Sequence, residues 1–220
     1  LCYSPINQGL LLTTSDVINN LTYTFIWNGS NWIQLFPTQN LTPRYGASMA
    51  YYPPSQQIIL FGGNNGSLQL NDTWYWNGSG WKKLSIVLNP SGRQEAVFAY
   101  DANTQQLILF GGYNSNLSYL NDTWLWNKNW SQLNPVSIPP AREGAVLSYD
   151  ESSNQLILFS GLGGGGYLND TWQWILNSFG GNGALGGDSN SAQGSNGASG
   201  YLNYGGAGGL GAEGVAGGIP

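Results

Sequence analysis

Three arginines, Arg44, Arg93 and Arg142, stand 49 residues apart. If they converged, their guanidinium forks could clamp a carboxylate or a phosphate. Eleven acidic residues could supply the paired carboxyl groups that glycoside hydrolysis needs. Little other chemistry is open to the chain. It has no histidine and a single cysteine, Cys2, which removes Ser/His and Cys/His nucleophile pairs, histidine general bases and imidazole metal sites. The acids mostly recur once per repeat: Asp72, Asp122 and Asp170 in Asn-Asp-Thr-Trp, Glu95 and Glu143 after arginines, Asp101 and Asp150 after tyrosines. Equivalent positions read as structural, which leaves Asp16 and Glu151 as the atypical carboxylates. The arginines share one phase of the repeat too, so they are expected to brace the chain against carbonyls or against Glu95 and Glu143. The expectation is no catalytic residue, no cofactor and no metal.

A second chemistry is modification. Ten Asn-x-Ser/Thr sequons occur, at Asn20, Asn28, Asn40, Asn65, Asn71, Asn77, Asn116, Asn121, Asn129 and Asn169, where the composition alone would give roughly 4 by chance. Asn-Gly and Asn-Asp steps also suit tight turns. Asn20, Asn40, Asn116 and Asn129, however, lie outside the repeated Asn-Asp-Thr and Asn-Gly-Ser frames, and no sequon follows Asn169. The pattern predicts an extracellular glycoprotein.

The elements that would position these residues follow from the repeat. Trp27, Trp76, Trp126 and Trp174 are 49, 50 and 48 residues apart, so length drift falls in loops. A repeat near 50 residues, with a diglycine after an apolar strand, marks the blades of a β-propeller. Within one unit, Ser48–Tyr52, Gln57–Phe61, Asp72–Trp76 and Trp81–Leu84 are short β-prone segments, with turn formers between the first three. Gln106 to Phe110 is apolar without alternation, which a strand tolerates only when both faces of its sheet are covered. Trp74 and Trp76 share a face, as do Trp124 with Trp126 and Trp172 with Trp174. Each such indole is expected to bury about 150–250 Å² against an adjoining sheet.

The linked features Arg-x-x-Ala, Leu-Ile-Leu-Phe-Gly-Gly, Asn-Asp-Thr-Trp-x-Trp and Trp-x-x-Leu resemble the Kelch family over about residues 1–175. The resemblance implies four-stranded antiparallel blades around an axis, used mostly for binding, in rings that usually carry more than four blades. It puts the diglycines Gly62, Gly63, Gly111 and Gly112 with the arginines and the paired tryptophans as structural repeat positions. Blades are expected at about 1–35, 44–84, 93–133 and 142–175. The terminal two are expected to be incomplete, the first with its inner strand mostly absent and the fourth without a Trp-x-x-Leu strand. Copper oxidases on Kelch-type propellers need histidine ligands that this chain lacks. The sialidase Asp-x-Gly step before tryptophan is missing as well.

Composition narrows the partners. Charged residues are 8% of 220 and the net charge is −5, against a usual ~25% charged. Lys82-Lys83 is the one basic cluster, so no nucleic acid is expected. No run approaches ~20 apolar residues, so no membrane span is expected. Gly161 to Gly166 formally satisfies a nucleotide-binding glycine pattern, but a further strand follows it, not a helix. Residues 178–220 are Gly-rich and read as a low-complexity tail with a role in assembly, after a propeller domain at 1–177. The reading is an all-β, non-catalytic surface module serving adhesion, an envelope layer or a filament, with copies of itself, surface proteins or glycans as partners. The alternatives are a secreted glycan-binding protein and a carboxylate-dependent secreted hydrolase or lyase.

Overall fold

The computed structural model describes residues 1–116, 118–175 and 199–203. Each sequence unit forms one sheet. The first holds β1 (Cys2–Ser4), β2 (Gly9–Asp16), β3 (Leu21–Trp27) and β4 (Trp32–Leu35). The second holds β5 (Ser48–Tyr52), β6 (Gln57–Phe61), β7 (Thr73–Trp76) and β8 (Trp81–Lys83). The third holds β9 (Val97–Asp101), β10 (Gln106–Phe110), β11 (Thr123–Trp126) and β12 (Trp130–Leu133). In the fourth, β13 (Val146–Asp150) and β14 (Gln155–Phe159) precede a small hairpin, β15 (Leu162–Gly163) with β16 (Gly166–Tyr167). β17 (Thr171–Ile175) and β18 (Ser199–Asn203) complete it. Strands follow chain order and pair antiparallel, except that β18 runs parallel to β17.

Both terminal sheets therefore carry four strands, which corrects the expectation that they are incomplete. β1 has no consensus side chains, yet Cys2, Tyr3 and Ser4 register with Leu11, Leu10 and Gly9, because a ladder is made by backbone groups. The fourth strand of the last sheet comes from within the Gly-rich segment, where no strand was expected. The remainder of that segment, and with it the proposed assembly tail, lies outside the described residues.

The sheets pack on one another in succession, and β1, β5, β9 and β13 lie side by side in that order. Three apolar clusters fill the gaps. The first unites Leu11 and Ile26 with Ile58, Leu60, Trp74, Trp76 and Trp81. The second unites Ile59 and Phe61 with Leu107, Leu109, Trp124, Trp126 and Trp130, and the third joins Ile108 and Phe110 to Leu156, Leu158, Trp172 and Trp174. Thus Ile58 and Leu60 face the preceding sheet while Ile59 and Phe61 face the following one, which is why the strand is apolar without alternation. The repeated tryptophans are at most 9% exposed, and each buried indole is worth roughly 4–6 kcal/mol of transfer free energy.

The diglycines join one unit to the next. Gly62 and Gly111 adopt φ of +69° and +68°, and a Cβ on either would sit 2.5 Å from the carbonyl oxygen of Arg93 or Arg142 in the following unit. That same carbonyl accepts the N–H of Gly63 or Gly112, at 2.8 Å in both cases. Only a residue without a Cβ permits the left-handed turn and the close approach together.

Candidate functional site

The arginines are the most chemically loaded positions, and each is built into the same node. The segment before a sheet carries the arginine, and the third strand of that sheet is preceded by the aspartate that meets it. Arg93 donates from Nη1 to Asp122 Oδ1 at 2.5 Å and from Nη2 to Oδ2 at 2.8 Å, while its remaining donors reach the carbonyls of Gly111 and Ser91, both at 3.0 Å, and Ser91 Oγ at 2.9 Å. Trp124 Nε1 donates to the same carboxylate at 2.6 Å. Arg44 repeats this with Asp72, the Gly62 and Thr42 carbonyls and Trp74, whose ring lies 5.6 Å from the guanidinium carbon. Arg142 repeats it with Asp170, the Ser160 and Pro140 carbonyls and Trp172. A guanidinium so occupied has no fork left for a ligand.

Bracing was the expected role, but the partner differs from one of those foreseen. The carboxylates come from the Asn-Asp-Thr-Trp motif 28 or 29 residues downstream, not from Glu95 or Glu143. Burial works against the charged form of Asp72, Asp122 and Asp170. Hydrogen bonds and charge from the paired arginine, with the indole N–H, outweigh it and hold each carboxyl below its ordinary value.

Asp101 and Asp150 cap hairpin turns: Asp101 Oδ1 accepts from the N–H of Asn103 at 2.9 Å, and Asp150 Oδ1 from that of Ser152 at 3.1 Å. Asp16, one of the two atypical acids, caps the β2–β3 turn through the N–H groups of Ile18 and Asn19. Glu151, the other, is exposed on the β13–β14 turn.

Glu95 and Glu143 are not repeat-equivalent, contrary to the expectation. Isolated bridges align Tyr45, Gln94 and Glu143, so Glu95 stands with Gly46 and Gly144, and all three take positive φ of 53–64°. These three link the units, Glu95 N–H donating to the Gly46 carbonyl at 2.7 Å and Gly144 N–H to the Glu95 carbonyl at 2.9 Å. The resulting cleft, ≈ 300 Å³, is lined by Glu95, Glu143, Gly144, Ser160, Gly161 and Tyr167 among others. There burial and then the Glu95 carboxylate push the Glu143 carboxyl up. The pair shares a cleft with no arginine or lysine in its lining.

No family model matches the chain, and no curated protein is found to be similar to it. Function must therefore be argued from these residues. All ten sequon asparagines are exposed. Three also serve turns: Asn28, Asn65 and Asn77 each accept backbone N–H bonds through Oδ1 from residues two and three positions on. Lys82 and Lys83 are exposed, and Lys83 Nζ lies 3.5 Å from Asp72 Oδ2. The Gly161–Gly166 stretch forms the β15–β16 hairpin with no helix after it. Burial pushes the Cys2 thiol up to about 11, so it is not a thiolate near neutral pH. Among the described residues no three His, Cys, Asp or Glu side chains are grouped to hold a metal ion, and no helix is long and apolar enough to cross a membrane.

Sequence reasoning missed the polar bonds between sheets. Trp81 Nε1 donates to Thr24 Oγ1 at 3.2 Å, and Trp130 Nε1 to Thr73 Oγ1 at 2.9 Å. The signal was present, since a threonine sits three residues before the last tryptophan in Thr-Phe-Ile-Trp as in Thr-Trp-x-Trp. The bonds of Trp76 Nε1 to Asn7 Oδ1 at 2.9 Å and of Tyr52 Oη to Asn127 Oδ1 at 2.8 Å have no such repeat, so nothing in the sequence announced them.

Proposed function

We propose that this chain is a non-catalytic, N-glycosylated module of a cell surface, a Kelch-type β-propeller that works by contact with other proteins, copies of itself included. The observation that carries the reading is a division of labour among its polar residues. The repeated arginines and aspartates are consumed in buried nodes that hold the sheets, whereas every sequon asparagine is on the outside. A glycan needs an exposed acceptor in a turn or loop, and the asparagines at all ten sequons meet the exposure condition. Neutral Asn, Ser, Thr and Gln then keep the surface wet with few charges, and attached glycans extend that hydrophilic shell. Adhesion, an envelope layer or a filament are the settings that suit such a module.

The test is an intact mass. Secreted from a glycosylating host, the chain is expected to exceed 23.7 kDa by several glycan increments and to return to it on enzymatic deglycosylation. Asn40→Gln and Asn129→Gln, both outside the repeated frames, are each expected to remove one increment. A bare polypeptide mass in such a host would contradict the reading.

A further inference from the structure

The two ends of the sheet array expose the two halves of an interface that the molecule has already built three times. Within the array, the row Tyr51, Ile58, Trp76, Trp81 of the second sheet is seated on the first sheet, and the row Tyr100, Leu107, Trp126, Trp130 of the third is seated on the second. The first sheet carries the same row, Tyr3, Leu10, Trp27, Trp32. Its two indoles pair as those of the others do, at 5.6 Å against 5.5 and 5.1 Å. Here, however, no sheet precedes it among the described residues. Trp32 is 44% exposed where Trp81 is 0% and Trp130 4%, and Tyr3 is 56% exposed.

The fourth sheet shows the complementary face. Val97 and Phe110 of the third sheet are covered by the fourth and are 8% and 2% exposed; Val146 and Phe159, at the same register, are 61% and 49% exposed. Beside Phe159 stands Thr171, the counterpart of Thr24 and Thr73, which accept the indole N–H of the following sheet's tryptophan. One end therefore lacks an acceptor for Trp32, and the other lacks a donor for Thr171.

We propose that the first sheet of one copy of the chain covers the fourth sheet of a second copy, head to tail, continuing the inter-sheet interface across the molecular boundary. Trp32 enters against Phe159 and Val146, with its Nε1 donating to Thr171 Oγ1 of the other copy. The occupant is a second copy because the exposed pair has the register, the aromatic–aliphatic row and the donor–acceptor match of the internal interfaces, and large exposed apolar patches of this kind mark contact surfaces. The contact is heterologous, so two copies can satisfy both faces only by closing on each other. It deepens the self-association in the reading above but is a property of the polypeptide, so it is tested on unglycosylated protein and stands or falls separately from the glycan mass.

The experiment is light scattering coupled to size exclusion on the full chain, with sedimentation velocity over a concentration series. The expected mass is that of two 23.7 kDa chains. Trp32→Asp and Phe159→Asp each remove one face without touching the internal clusters. Each is expected to weaken association by more than about tenfold, since aromatic anchors carry most of such an interface. Val87→Asp, at an exposed loop position, is expected to leave it unchanged. Mixing the two face variants is expected to restore pairing, because each retains the face the other has lost. A chain that stays monomeric at about 100 μM, face variants that still pair, or a mixture that does not, would each overturn the proposal. Near-ultraviolet circular dichroism of both variants checks that they remain folded.

Discussion

Replacing Asp122 by alanine tests the reading of the arginines as structure. The Arg93 side chain is 0% exposed, so the variant strands a guanidinium that water cannot reach, keeping its bonds to Gly111 and Ser91 but losing both to the carboxylate. Breaking one side of a buried pair costs about 3–5 kcal/mol. Trp124 Nε1 also loses its acceptor, which adds roughly 1 kcal/mol for a buried donor left unmet. The expected loss is therefore about 4–6 kcal/mol, a large part of the 5–15 kcal/mol that holds an ordinary domain together. Urea unfolding at pH 7, followed by tryptophan fluorescence, reads it as a shift in midpoint. Lys83→Ala serves as the comparison: Lys83 is 58% exposed and 3.5 Å from Asp72, and an exposed pair is worth about 1 kcal/mol or less. The Asp122 loss should persist in 0.5 M salt, which screens exposed pairs far more than buried ones. Should the two substitutions cost alike, or Asp122→Ala cost less than about 1 kcal/mol, the arginine nodes are not what holds the sheets. Were Asp122→Ala too unstable to purify, Asp122→Asn, which keeps an acceptor, gives the same ordering at smaller size.

Acid should undo the same nodes. Asp72, Asp122 and Asp170 have folded carboxyl values below the unfolded one, so their contribution is present above an unfolded value of about 3.9 and is lost as pH falls through the folded values. The urea midpoint is expected to be level from pH 7 to about 5 and to drop below about 4; a midpoint that rises on acidification contradicts this. Phe110→Ala, at a position 2% exposed, is expected to cost about 3–5 kcal/mol. The register-equivalent Phe159→Ala should cost far less in the separated monomer, and equal costs would mean the last sheet is not open. Gly111→Ala meets the Arg142 carbonyl at 2.5 Å, whereas Gly144→Ala, also at positive φ, meets nothing within 4 Å. The second should cost only the backbone term of about 1–2 kcal/mol, the first visibly more by thermal melting, and the reverse order would refute the diglycine argument.

The all-β class, the strand positions of the second and third units and the burial of the paired indoles were legible because each rests on a repeated pattern. Ser48–Tyr52 and Gln57–Phe61 have the bounds that the sequence implied. The terminal units were misjudged for the opposite reason: β1 is held by backbone pairing and β18 comes from Gly-rich sequence, and neither leaves a side-chain signature. The arginine partner was missed because Glu95 and Glu143 are near in sequence while Asp122 and Asp170 are near in space. Counting from the arginine also hid that Glu95 occupies a left-handed position filled by Gly46 and Gly144 in its neighbours. The open faces could not be read at all, since Phe159 and Phe110 are the same residue in the same motif and differ only in what lies next to them.

Indole N–H hydrogen exchange tests most directly that the sheets hide their tryptophans against one another. Trp74, Trp76, Trp81, Trp124, Trp126, Trp130, Trp172 and Trp174 are expected to exchange orders of magnitude more slowly than a free indole, with Trp81 and Trp130 losing protection when Thr24 and Thr73 are replaced by valine. Exchange of those eight at the rate of free tryptophan would contradict the stacked arrangement, and with it every functional argument drawn from the nodes.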